Sequence, residues 1–279
     1  MNVFKILFFS FTVLFFSCDY VDNPSEEGSS VVESSDEKRR VLLMDFTGHK
    51  CQNCPSAAAE AQSIADDFPE SVVVLAVHPN ISGLSDPNDG EPGEPYTTNW
   101  ITPEGLDYQA KFDIPTFIPL GVVSGEIIGG NFWTPPASWR PNVELLLQDD
   151  RQVTLELELS YDEGSREIGI VTDLEVLTPL DNSYGLIIAT VESGIIDWQL
   201  NGSTAVPDYE HNHVLRNHVN GIQGEEVITD GSDAGEQLNF THSSILDSDF
   251  VAENVYIYAY LYDIESLEVL DVVEKHIIE

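Results

Sequence analysis

A pair of cysteines at a strand-to-helix junction constrains this chain more than any other feature. Residues 41–55 read VLLMDFTGHKCQNCP. The apolar run Val41-Leu42-Leu43-Met44 has the unbroken hydrophobicity of a strand buried on both faces. Thr47-Gly48-His49-Lys50 form a short loop, and Cys51 and Cys54 follow. After Pro55, SAAAEAQSIADDF predicts a helix, rich in Ala and with proline in its first turn. The thiols thus lie where free backbone N–H groups and the helix dipole favour a thiolate, which lowers a cysteine pKa. Two readings stay open: a dithiol/disulfide switch, or a structural bond that staples the loop. In the first, Cys51 at the exposed end of the pair attacks a partner and Cys54 resolves the mixed disulfide. Lys50 supplies a cation that favours the thiolate, and His49 adds to it or relays a proton. The plainer reading makes His49 and Lys50 an ordinary exposed loop pair. No second Cys or His pair has zinc spacing nearby, so no metal is expected there.

The chain has 279 residues, enough for one or two domains with a sizeable core. Its 11 basic against 49 acidic side chains give a net charge of -38. That charge excludes nucleic acid and anionic membrane surfaces as natural partners.

Residues 1–17 read as a targeting segment. Lys5 gives a positive start, and ILFFSFTVLFF is too short for a comfortable membrane span. Phe16-Ser17-Cys18 resembles the end of a bacterial lipoprotein signal. The resemblance implies cleavage before Cys18, lipid on its thiol, and attachment to a membrane through the acyl chains. A simple secretory peptide with an incidental Cys18 is the alternative. There are three cysteines in all, so a lipidated Cys18 leaves Cys51 and Cys54 as the remaining pair, in a compartment that permits disulfides. Residues 18–38, rich in Ser, Glu and Asp, read as a disordered tether.

Residues 39–150 alternate strand and helix patterns. A buried strand is expected over 71–78, a helix over 104–112, paired strands over 114–120 and 122–128, and a closing helix over 138–148. Residues 79–103, dense in Pro, Gly and Asp, read as an insertion. Its Asp86, Asn88, Asp89, Glu91 and Glu94 offer oxygen atoms to calcium, but the spacing is not that of an EF-hand, and a solvated acidic loop is the default.

This α/β half resembles the thioredoxin superfamily. Asp45, six positions before Cys51, stands where thioredoxins keep a buried carboxylate, and Ile114-Pro115-Thr116 has the form of their cis-proline loop. The resemblance implies that Asp45 accepts a proton from Cys54. It also implies that Pro115 is cis and that Ile114, Pro115 and Thr116, with His49, meet an extended substrate. Gln52-Asn53 replace the Gly-Pro of thioredoxin and Lys50 replaces its tryptophan, so the direction of the redox chemistry does not carry over. No cofactor is implied.

Residues 151–279 change period. Val153, Leu155, Leu157 and Leu159 alternate with polar residues, as a half-buried antiparallel strand requires. Further strands at 167–177, 183–192, 255–263 and 267–273 suggest an immunoglobulin-like β-sandwich. Tyr256, Tyr258, Tyr260 and Tyr262 form a stripe along one strand, either a binding face or packing against a neighbour. His211 and His213, with His218 nearby, share one face if that piece is a strand, which would suit a metal site; a polar loop at the domain boundary is the default.

The lipoprotein-type signal, the acidic tether, DFTGHKCQNCP, the IPT triplet and HNHVLRNHVNG together resemble the Omp28-like outer-membrane lipoproteins of Bacteroidetes. That resemblance implies a lipid-anchored outer-membrane protein facing the periplasm or the cell surface. The residues point to a thiol–disulfide oxidoreductase acting on thiols or disulfides of envelope proteins. The alternative is a non-catalytic adhesin or glycan- or protein-binding component with a structural disulfide.

Overall fold

A computed structural model describes residues 38–278. The targeting segment, Cys18 and most of the tether lie outside the described residues. In chain order the first half forms β1 (Val41–Phe46), α1 (Cys54–Asp67), β2 (Val72–Val77), α2 (Pro103–Lys111), β3 (Leu120–Val123), β4 (Trp133–Thr134) and α3 (Trp139–Leu146). β1 runs parallel to β2, from Val41 opposite Val72 to Phe46 opposite Val77. β3 is antiparallel to β1, and β4 to β3.

Every residue of β1 is buried because helices cover both faces. Alternation sorts its side chains. Val41 and Leu43 join Ala57, Ala61 and Ile64 of α1 and Trp139 and Val143 of α3. Leu42, Met44 and Phe46 face the other way, with Tyr108 and Phe112 on the α2 side. Gly121 is required: a Cβ there would lie 2.2 Å from the Trp139 indole nitrogen.

The expected strands over 114–120 and 122–128 do not form. Only Leu120–Val123 is a strand, and its outer partner is the short β4. Residues 114–119 carry two prolines, which suit a turn better than a ladder.

The second half forms β5 (Val153–Asp162), β6 (Glu167–Val176), β7 (Tyr184–Glu192), β8 (Ile195–Asn201), β9 (Thr204–His211), β10 (Val214–His218), β11 (Glu225–Ile228), β12 (Gln237–Ile245), β13 (Val255–Asp263) and β14 (Val269–His276). The result is mixed α/β, mostly β with few helices. The largest sheet has nine strands in the order β14-β13-β7-β10-β2-β1-β3-β4, with β11 also on β7. β10 reaches β2 through the pair Val214–Ala76 and the bond from Ala76 N–H to His213 O, 2.7 Å. The boundary expected near residue 150 is therefore no break in the sheet, and the described residues lie within one compact unit.

β12-β6-β5 make a second sheet. Its Val153, Leu155, Ile168 and Ile170 pack on Leu186, Ile188, Ile257 and Leu261 of the large sheet. β13 again alternates. Its odd-numbered residues face this layer, while Tyr258, Tyr260 and Tyr262 face the α2 side. That part of the tyrosine stripe is interior packing. Tyr108 Oη, on α2, bonds to Tyr260 Oη and lies 2.8 Å from His218 Nε2.

Candidate functional site

Cys51 and Cys54 are joined by a disulfide, and Cys54 opens α1. Cys51 Sγ lies 3.7 Å from Ile118 O, and the Ile118–Pro119 bond is the cis peptide among the described residues. This corrects the expectation for Pro115. Residues 114–120 contain two Ile-Pro pairs, and the second, next to β3, meets the sulfur. Ile114 is buried in the core beside the cysteines, while Thr116 is exposed just after α2.

The insertion folds onto the cysteine loop. Lys50 N–H donates to Leu84 O at 2.9 Å. Gly48 leaves room for that approach, since a Cβ there would lie 2.5 Å from Leu84 O. Lys50 Nζ pairs with Asp86 at 2.9 Å, so its charge is spent on the insertion. His49 is fully buried, against Tyr96 and with Nε2 3.2 Å from Asp86 O. Burial pulls its pKa below the usual imidazole value. His49 is thus no exposed loop residue, and burial disfavours its charged form beside the pair.

Cys51 is 2% and Cys54 1% exposed, against the expectation of an accessible Cys51. The β8–β9 hairpin is bonded across the cysteine loop. Leu200 N–H donates to His49 O at 2.8 Å, and Gly202 N–H to Gln52 O at 2.9 Å. Gln199 Nε2 donates to Gly48 O and Cys51 O at 3.3 and 3.2 Å. Nothing local announces this contact, because β8 and β9 lack a clean apolar alternation.

Asp45 sits beneath, on β1. It is buried, Oδ1 has no hydrogen-bond partner, and burial pushes its pKa up to about 8. A small cavity of about 30 Å³ is lined by Asp45, Cys54, His78, Gln199, Tyr209 and His211. That volume holds about one water. A larger cleft of about 330 Å³ between α1 and β9 also reaches Asp45, past Gln62, Tyr209 and Asn212.

His78 and His211 both pack against Trp100, at ring distances of 5.5 and 5.1 Å. Both His78 nitrogens and His211 Nε2 lack hydrogen-bond partners. Burial holds His78 well below the usual range and lowers His211 to about 4. The three expected histidines do not converge. His213, at φ 58°, interrupts the chain between β9 and β10, so it shares no strand face with His211. It contacts Tyr258 Oη at 3.1 Å and Gln62 Oε1 at 3.0 Å, while His218 faces Tyr108.

His211 works against the fold in acid, opposite in sign to the buried Asp45. The unfolded chain binds its proton near pH 6.5, whereas the native site resists protonation until about 4. Stability contributed by the neutral ring is therefore lost as pH falls through that window, about 3 kcal/mol between pH 7 and 4. His211→Gln should flatten this part of the urea-midpoint profile; identical slopes for parent and variant would refute the assignment.

No curated protein matches this chain at a significant level. The family described as Outer membrane protein Omp28 matches residues 125–279, more than half of the sequence. The chain belongs to the Omp28 family. Membership supports an outer-membrane location, and the matched region contains the hairpin but not the cysteines. HBP35 of Porphyromonas gingivalis is similar in fold, with TM-score 0.66 and 14% identity over 87% of this chain and 76% of that one. A protein from Agrobacterium tumefaciens aligns with TM-score 0.50 and 13% identity over 88% and 97% of the two chains. A domain of the outer membrane lipoprotein Omp28 from P. gingivalis aligns at 23% identity over 46% of this chain and 88% of its own, with TM-score 0.33.

Proposed function

We propose that this Omp28-family protein is a lipid-anchored envelope thiol–disulfide oxidoreductase. Its first half is a thioredoxin-like domain, and its second half is an immunoglobulin-like platform joined to the same sheet. The strand order β2-β1-β3-β4, with α1 and α3 on one face and α2 on the other, supports the thioredoxin-like reading. The anchor is Cys18, and the partners are thiols or disulfides of other envelope proteins.

The observation that carries the reading is Asp45. A buried, unpartnered carboxyl with its pKa near 8 lines the same cavity as Cys54. Such a group exchanges protons near neutral pH. In the reduced protein the Cys51 thiolate attacks a partner disulfide, forms a mixed disulfide and releases one partner thiolate. Cys54 passes its proton to the Asp45 carboxylate and attacks Cys51 Sγ. The Cys51–Cys54 bond forms and the second partner thiolate leaves, so two electrons have moved to the partner. The reverse sequence oxidises a partner dithiol.

The burial of both sulfurs favours a second reading, a structural bond in a binding protein. The equilibrium reduction potential of the pair, in protein carrying Cys18→Ser, separates the two. About −270 mV would mark a reductant, and about −200 to −120 mV an isomerase or oxidant. Below about −300 mV the bond is structural and the oxidoreductase reading fails.

A further inference from the structure

The β8–β9 hairpin is attached to the large sheet at one place. β7 ends at Glu192 and β10 begins at Val214, and these two residues are paired across the sheet. Residues 195–211 between them form a separate two-stranded sheet. Both joints have left-handed backbone: Gly194 at φ 69° and His213 at φ 58°. Gly194 N–H donates to Asn212 Oδ1 at 2.7 Å and ties the joints together. No residue of 195–210 belongs to any of the three hydrophobic clusters. The hairpin is instead held to the body by polar bonds. The main ones run from Gln199, Leu200 and Gly202 to residues 48–52, and from Trp198 Nε1 to Gly93 O at 3.0 Å. A segment with few buried apolar contacts, joined to the sheet at one place and otherwise held by polar bonds, opens before the core does.

We propose that the β8–β9 hairpin is a lid over the Cys51–Cys54 bond, hinged at Gly194 and Asn212–His213 and latched by Gln199. Thiol exchange at the pair then waits on its opening. Gln199 is a positioning residue: it touches the Gly48 and Cys51 carbonyls, not the sulfurs. The purpose of the lid rests on the redox reading of the pair. The test below reads a rate, whereas that reading is tested by a potential. A pair too reducing to exchange would end the oxidoreductase reading and leave the lid standing.

The probe is dithiothreitol, which reduces the bond to two thiols and is itself oxidised to its cyclic disulfide. Gln199→Ala removes the latch and should speed reduction about tenfold, with Leu200 and Gly202 amides exchanging correspondingly faster. An unchanged rate alongside faster exchange overturns the proposal. A second measurement needs no substitution in the lid. In protein carrying only Cys18→Ser, deuterium exchange at the Leu200 and Gly202 amides gives the open fraction. The folded chain's reduction rate should match the unfolded chain's rate multiplied by that fraction. A rate more than about tenfold above this product means that the sulfurs are reached without opening the hairpin, and overturns the proposal.

Discussion

Asp45→Asn is expected to remove a large pH dependence of this fold. The native site holds the Asp45 proton up to about pH 8, while the unfolded chain releases it near 3.8. Between those values folding takes up a proton, so stability is greatest in acid and is lost as pH rises. The loss from this one group between pH 5 and 9 is about 4 kcal/mol. Asparagine has nearly the same shape and no charge to bury. Its urea midpoint should stay level over that range, from this group's standpoint, while the parent's falls. Parallel profiles for the two proteins would mean that Asp45 ionises freely. The proposed proton acceptor would then have an ordinary carboxylate pKa. The same substitution should slow the resolving step at Cys54, read as a longer-lived mixed disulfide.

Asp271→Ala is expected to be the most damaging change away from the cysteines. The Asp271 side chain is completely buried on β14. It accepts from Arg40 Nε at 2.8 Å, from Arg40 Nη2 at 2.5 Å and from Leu155 N–H at 2.9 Å. Arg40 also donates to Leu155 O at 2.7 Å. One carboxylate therefore joins the lead-in to β1, the second sheet and the far edge of the large sheet. Removing it leaves a guanidinium mostly shut off from water and an amide without its partner. The cost of breaking such a pair is about 3–5 kcal/mol. Denaturant titration checks this, and a loss under about 1 kcal/mol would contradict the role given to Asp271. Arg40→Met combined with Asp271→Leu should recover part of the loss, because the Arg40 charge is no longer stranded, while Arg151, 4.0 Å from Asp271, still loses this carboxylate.

Much of the skeleton was legible in the sequence because its signals are local. The apolar run at Val41, the Ala-rich helix after Pro55 and the strict alternation from Val153 to Leu159 each declare their period, and each forms the expected element. Asp45 was picked out only through the resemblance to thioredoxins, by its place six residues before Cys51; the structure buries it on β1, lining one cavity with Cys54. Three things were not legible. The two Ile-Pro pairs look alike in sequence, and only the position of β3 decides which one meets Cys51. The large sheet passes from one half to the other through one short contact between β10 and β2, which no pattern announces. The hairpin cover involves Gln199, Leu200 and Gly202, whose importance comes from backbone groups far away in the chain.

That distance sets an order of events. Gln199 follows Cys51 by 148 residues. A chain delivered across a membrane from its N-terminus presents its thiols long before their cover exists. Catalysts of disulfide formation outside the cytoplasm then meet bare cysteines on a half-made sheet. On the lid proposal, the oxidation state of the pair is set while it is bare, and after closure it changes only as fast as the hairpin opens.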